Sequence, residues 1–359
     1  MKRIFFFCFL IVFFPLVYSN ENISHENEEL TSSENYEEQE KFDPGHFILH
    51  HIGDAYEWHI IGEVAIPLPV IVYSKGKGFN VFSSSRLAHG KSYNGFKIEE
   101  HGENSGKLVE VISEHESRLP LLDISLTKNV LAIMISMGLM LFVFISIANS
   151  YKNRKNKAPK GLQSAFEPLI LFIRDEVAKP AIGEKKYEKF MPYLLSVFFF
   201  IWLNNMLGLL PTFPGGANTT GNIAVTLALA LCTFLITTFR GNKNYWKHIF
   251  NTPGVPWWLK VPLPLMPFIE FVGIFIKPFV LMVRLFANIS AGHIIALGFY
   301  SLIFVFGAMQ WWYGLAESPL TIAFTIFMFM LELLVAFIQA YVFTLLSAIY
   351  FGMATEEHH

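Results

Sequence analysis

Long apolar runs alternate with short cationic loops along the second half of the chain. "NVLAIMISMGLMLFVFISIAN" starts at Asn129 and is long enough to cross a hydrocarbon core of ~30 Å. It ends at "SYKNRKNKAPK", which the positive-inside rule assigns to the cytoplasm. "MPYLLSVFFFIWLNNMLGLLP" then crosses outward, and "NIAVTLALALCTFLITTF" crosses back to a second cationic loop, "RGNKNYWK". The pattern predicts membrane helices over about 129–149, 191–211 and 222–239. Two further runs, 265–306 and 319–351, are too long for ordinary spans. As helices they would measure ~60 Å and ~50 Å, well beyond one bilayer core. No polar turn divides the first, and Pro267 and Pro278 are its only strong interruptions. Steep tilt resolves the excess length. The expected fold is an all-α integral membrane domain, 123–359, with five transmembrane helices. The last two form a tilted hairpin joined by "GAMQWWYGLAES", with the C-terminus in the cytoplasm.

Composition agrees. The chain is 53% hydrophobic and 16% charged, against about 25% charged in soluble domains. Residues 1–19 pair Lys2 and Arg3 with a short apolar run and end in Val17-Tyr18-Ser19. This predicts a secretory signal peptide cleaved after Ser19. The acidic stretch 20–41 predicts disorder. Residues 42–122 hold alternating runs such as "HIIGEVAIPLPVIVY" and "KGFNVFSS" between Gly, Pro and Ser. They predict a small β-rich extracytoplasmic module. His46, His50, His51 and His59 lack a closed ligand spacing, so no metal site is expected. Cys8 and Cys232 lie in apolar runs and predict no disulfide.

The chemistry sits in the overlong segments. Arg284 interrupts "LMVRLFANISAGHII", at a cost of at least ~3 kcal/mol on insertion scales. Intramembrane ionisable groups are functional candidates, and here they are Glu270, Lys277, Arg284, His293 and Glu332, with polar Asn288 and Gln339. Arg284 and Asn288 are four apart and share a face. His293 is nine residues on, ~13.5 Å along the axis and ~180° around it. Glu332 and Gln339 are seven apart on one face. An antiparallel hairpin brings His293 toward Glu332 and Gln339 toward Arg284 in a single register. His and Glu can carry protons when their environment shifts them. Arginine stays charged, so it serves as a fixed cation that attracts a carboxylate. Singly, the arginine can be a structural ion-pair partner and the histidine a packed one; their joint placement on two overlong helices favours function.

Together with "LQSAFEPLILFIRDEV", "NNMLGLLP", "TGNIAVTLALAL" and "KPFVLMVRLFANISAGH", the run from "LELLVAFIQAYVFTLLSAIYF" closely resembles subunit a of F-type ATP synthases, over about residues 120–359. The resemblance implies a proton-translocating stator subunit, not itself catalytic, in a bacterial inner membrane. Its implied partners are a rotating c-subunit ring, the b-subunit peripheral stalk and the remaining subunits, with no cofactor and no nucleic acid. It implies that Arg284 faces the ring carboxylate, with Asn288 and Gln339 as polar neighbours and Glu270 as a cytoplasmic-side carboxylate. Many members carry Glu where His293 stands and His where Glu332 stands; both orders occur. Asn222 stands where many carry Asp on the outer access path. No phosphate-binding G-x-x-x-x-G-K-[ST] loop is present. The competing classes are a stand-alone ion channel or secondary transporter, with Arg284 as an anion site, and a membrane-anchored receptor. No internal repeat supports the transporter, and the receptor leaves Arg284, Asn288 and Gln339 unexplained.

Overall fold

A computed structural model describes residues 53–61, 64–99, 106–113, 116–153, 158–210, 215–250 and 265–356, with a few single positions. The predicted signal peptide and acidic stretch lie outside the described residues, as do His46, His50 and His51.

Among the described residues the N-terminal module has eight short strands, β1 (Glu57–Ile61), β2 (Val64–Pro67), β3 (Pro69–Ser74), β4 (Gly78–Ser83), β5 (Phe96–Ile98), β6 (Leu108–Ser113), β7 (Glu116–Arg118) and β8 (Leu122–Asp123). They pair antiparallel as β1-β2, β4-β3-β8 and β5-β6-β7. Strand β3 buries Val70, Val72 and Ser74 in alternation, as a pleated strand with one covered face must. These valines meet Phe82, Leu87, Phe96 and Leu108 in one small core. Asn94-Gly95 sits between Tyr93 and Phe96, which exchange two 2.9 Å backbone bonds. Both central residues have positive φ, the requirement of a tight two-residue turn.

Helix α1 (Lys128–Asn153) leaves the module directly. Then come α2 (Leu162–Phe172), a π-helical turn at Ile173–Ala178, α3 (Lys179–Ile182), α4 (Tyr187–Gly208), α5 (Ile223–Arg240), α6 (Lys243–Phe250), α7 (Leu265–Met309) and α8 (Trp311–Thr355). Five of these, α1, α4, α5, α7 and α8, are long and apolar enough to cross a membrane. Hydropathy did not single out α2, α3 and α6, which are too short to span.

Helix α4 is the centre of the bundle. Its Leu194, Phe198, Phe199 and Ile201 are fully buried. Phe199 packs edge-on against Phe144 of α1 at 4.8 Å, and Phe198 against Phe337 of α8 at 5.8 Å. Helix α8 answers with a buried stripe of small residues at every fourth position: Ala336, Ala340, Thr344, Ala348 and Gly352. Four-residue spacing keeps them on one face, and small side chains let helices approach closely without a hydrophobic driving force. Large α4 side chains fill the space this leaves; Phe190, for instance, stacks on Phe351 at 4.8 Å. Lys186 Nζ and Asn242 Nδ2 donate to the Thr355 carbonyl at 2.7 and 2.9 Å, satisfying an orphan oxygen at the end of α8.

The hairpin differs from the sequence expectation at its turn. A twelve-residue loop was expected from Gly307, with α8 starting near Pro319. One extended residue, Gln310, makes the connection, and Pro319 lies inside α8. Gly307 and Gly314 explain this: a Cβ on Gly314 would stand 2.8 Å from the Gly307 Cα, so the two backbones touch at the turn. Each helix has 45 residues, ~67 Å at the helical rise.

Candidate functional site

The hairpin register can be followed along its length. Phe299 stacks on Phe324 at 5.0 Å, His293 Nδ1 stands 3.9 Å from Glu332 Oε1, and the Lys277 ammonium lies 5.8 Å from the Tyr350 ring. His293 and Glu332 therefore come together, as the antiparallel argument expects. Gly292 makes room for them: a Cβ there would lie 2.8 Å from Glu332 Oε1. Both side chains are mostly covered, at 20% and 13% exposure, and Glu332 Oε1 is buried without a hydrogen bond. A covered acid beside a covered imidazole is suited to handing a proton between them.

Arg284 and Asn288 sit together on an exposed face of α7, as the four-residue spacing requires. The register of the neighbouring pairs sets Gln339 within about one helical turn of the level of Arg284. Gln339 is nevertheless buried, at 8% exposure. Among the described residues no hydrogen bond or ion pair joins it to Arg284. Arg284 instead lies within electrostatic range of Tyr350.

Glu270 is half-buried near the start of α7, within electrostatic range of Tyr245 of α6 and Lys277 of its own helix. Burial, then the Glu270 charge, pushes the Tyr245 phenol above its usual pKa. Nearby, a narrow cleft is lined by Thr233, Thr237, Thr238, Tyr245, Lys277 and Tyr350 together with the apolar Phe234, Ile274 and Pro278. Sequence reasoning missed these tyrosines and threonines. Threonine and tyrosine on an apolar helix read as ordinary packing until a neighbouring helix is placed opposite.

Asn222 has a local task. It is the N-cap of α5, its Oδ1 accepting from the Ala224 N–H at 2.9 Å. Asparagine and aspartate cap about equally well, so Asn222 keeps the cap without a charge. The strip before it, 215–222, is bonded to α7 directly and to α8 through Asn205 of α4. Ser290 Oγ of α7 donates to the Gly221 carbonyl at 3.3 Å. Thr220 donates to Asn205 Oδ1 at 2.5 Å, and Asn205 Nδ2 donates to the Ala336 carbonyl of α8 at 3.2 Å. "NNMLGLLP" thus braces the hairpin one turn from Glu332.

Away from the hairpin, Asp175 in the π-helical turn bridges Arg174 at 2.8 Å and Lys179 at 2.7 Å. These two bonds, with Arg174 the stronger influence, hold its carboxyl well below the ordinary carboxylate range. Among the described residues no group of His, Cys, Asp and Glu could hold a metal ion.

Known proteins are similar to this chain in sequence over about two thirds of its length. The chain is 44% identical to ATP synthase subunit a of Chloroherpeton thalassium, over 66% of this chain and 69% of that protein. It is 46% identical to ATP synthase subunit a 2 of Chlorobaculum tepidum, over 65% and 64%. It is 39% identical to ATP synthase subunit a of Myxococcus xanthus, over 71% and 82%. The β-module matches a domain of unknown function (DUF8433) over residues 47–123. The helices, from residue 130 to residue 352, match the ATP synthase A chain family, and the chain belongs to that family.

Proposed function

We propose that this chain is the proton-translocating stator subunit of an F-type ATP synthase membrane sector, in a bacterial inner membrane. The observation that carries the reading is the division of one helix pair into two chemistries. Covered His293 and Glu332 lie between α7 and α8, while Arg284 and Asn288 stand on an open face of α7. The relatives' names support the same role and lend nothing to a secondary transporter.

In this reading the module is extracytoplasmic and the two 45-residue helices are steeply tilted. Protons arrive from the module side, past Glu332 and His293, with Asn222 bordering the path. They neutralise a carboxylate on a neighbouring ring of c subunits, which then turns through lipid. At Arg284 the fixed positive charge favours the ionised carboxylate, and the proton leaves through the narrow cleft beside Lys277 and Tyr245, close to Glu270. Arg284 and Asn288 face the ring, and Gln339 supports them from the buried side. Arg284 also separates the two half-paths, because it cannot release its own proton. The membrane potential supplies ~2.3 kcal/mol per charge per 100 mV. The b-subunit stalk holds this chain still against the ring.

Arg284→Ala, in membranes carrying the assembled complex, tests this. Proton-driven ATP synthesis should fall below about 1% of normal, because a fixed charge lost from a low-dielectric site is worth several kcal/mol. Synthesis at the normal rate overturns the reading.

A further inference from the structure

The β-module is joined to the hairpin site through a buried strip of irregular backbone. Its anchor is Trp58 of β1, 1% exposed, whose Nε1–H donates to the Gly215 carbonyl at 3.1 Å across 157 positions of sequence. Trp58 also packs with Ala217 of the strip and with Ala132, Leu131 and Ile135 of α1. The module is fixed to α1 independently of this contact. Asp54 Oδ1 accepts from the Asn129 N–H at 3.1 Å, and the Lys128 N–H donates to the Ala55 carbonyl at 2.8 Å. The carboxylate thereby sits at the N-terminus of α1, where the helix dipole favours it.

The strip itself, "GGANTTGN", is unusual. Asn218, Thr219 and Thr220 are 7%, 2% and 1% exposed, although they belong to no helix or strand. Buried irregular backbone must be held by specific bonds. At its far end those bonds go to Ser290, Asn205 and, through Asn205, Ala336. In its middle, the Ala217 carbonyl lies against Gly208, at the point where Gly208 also faces His293 Nε2. A Cβ on Gly208 would stand 3.2 Å from that carbonyl and 3.9 Å from that nitrogen. Trp58 thus holds one end of a strip whose middle backs Gly208, the residue that faces His293, and whose other end is bonded to Ser290, three positions before His293 on α7.

We propose that Trp58 is a positioning residue for proton access: through residues 215–222 the N-terminal module fixes the wall that faces His293. The inference rests on the proton-path reading above. It gives the module a task on the side from which protons arrive. Residues 215–222 carry no charge of their own; among the described residues, the titratable groups facing the wall are His293 and, across Gly292, Glu332.

The test uses the assembled complex in membrane vesicles, with Trp58→Phe and Trp58→Ala, and flux normalised to the amount assembled. Trp58→Phe keeps an aromatic ring, though a smaller one, and removes the N–H. It should speed amide exchange at 215–222 about fivefold, the loss of one hydrogen bond. It should also raise the half-saturating proton concentration on the module side about threefold, while the dependence on the opposite side stays as in the parent. Trp58→Ala should enlarge both effects. A merely structural defect lowers maximal flux alone. Unchanged exchange and unchanged half-saturation in Trp58→Phe overturn the proposal, even if Trp58→Ala fails to assemble. Arg284→Ala measured in the same vesicles keeps the two ideas apart. If it still makes ATP, the proton-path reading falls; if it does not and Trp58→Phe behaves like the parent, only the clamp falls.

Discussion

Helix α4 and the hairpin of α7 and α8 are all apolar enough to cross a membrane, yet they are used in opposite ways. Helix α4 buries its aromatics on several sides, against α1, α5 and α8. The hairpin leaves Phe268, Phe279, Phe327 and Met330 more than half exposed. Helix α8 shows both styles in one element: its small stripe is sealed from Ala336 onward, and its first half is largely open. In water such an open face would be a liability; in a bilayer it costs nothing and is available to lipid or to another subunit. Sealed surface marks the packed frame of this chain, and open surface is left for lipid or for another subunit. Arg284 and Asn288 lie on the open side.

The contrast can be broken by mutation. The largest effect is expected from Phe199→Ala. Four aromatic partners surround that ring, and the cavity should cost about 4 kcal/mol, read by SDS-titrated unfolding in mixed micelles. A loss under 1 kcal/mol would mean that α4 is not the frame. Ala340→Leu should cost about 2 kcal/mol in the same assay by overfilling the seam; a neutral result would show the small stripe to be incidental. Gly292→Val should leave stability near normal yet slow passive proton conduction about tenfold, about 1.4 kcal/mol of barrier, by driving Glu332 from His293. Parent-like conduction would remove that pair from the path. Phe327→Ala, on the open face, should change unfolding by less than about 0.5 kcal/mol, and a larger shift would reveal a hidden packing role.

Helix placement was legible because lipid leaves few choices: an apolar run must close its own hydrogen bonds as a helix. The His293–Glu332 encounter was legible for a related reason. Two helices running antiparallel have one free parameter, and two polar pairs were enough to set it. Gln339 shows the limit of that argument. Axial level follows from spacing, but the direction of a side chain depends on the neighbours, and Gln339 is turned into the buried side of α8. Asn222 reads as a path residue in sequence and acts as an N-cap in the fold, since capping is visible only once the turn is placed. Trp58 carried no signal at all. Its partner, Gly215, is 157 positions away and contributes only a carbonyl, which every residue possesses.

The turn at Gln310 has a metric consequence for the site. A connector of one residue, bracketed by bonds from Gln310 N to Phe306 and from Tyr313 N to Gln310, leaves no slack to absorb an error. Each residue added there would advance α8 by 1.5 Å and rotate it by about 100°, carrying Glu332 off the line of His293 more than twenty residues away. The hairpin behaves as a folded ruler whose zero mark is Gln310. The alignment of His293 with Glu332 is a matter of chain length, set at the end farthest from Glu270.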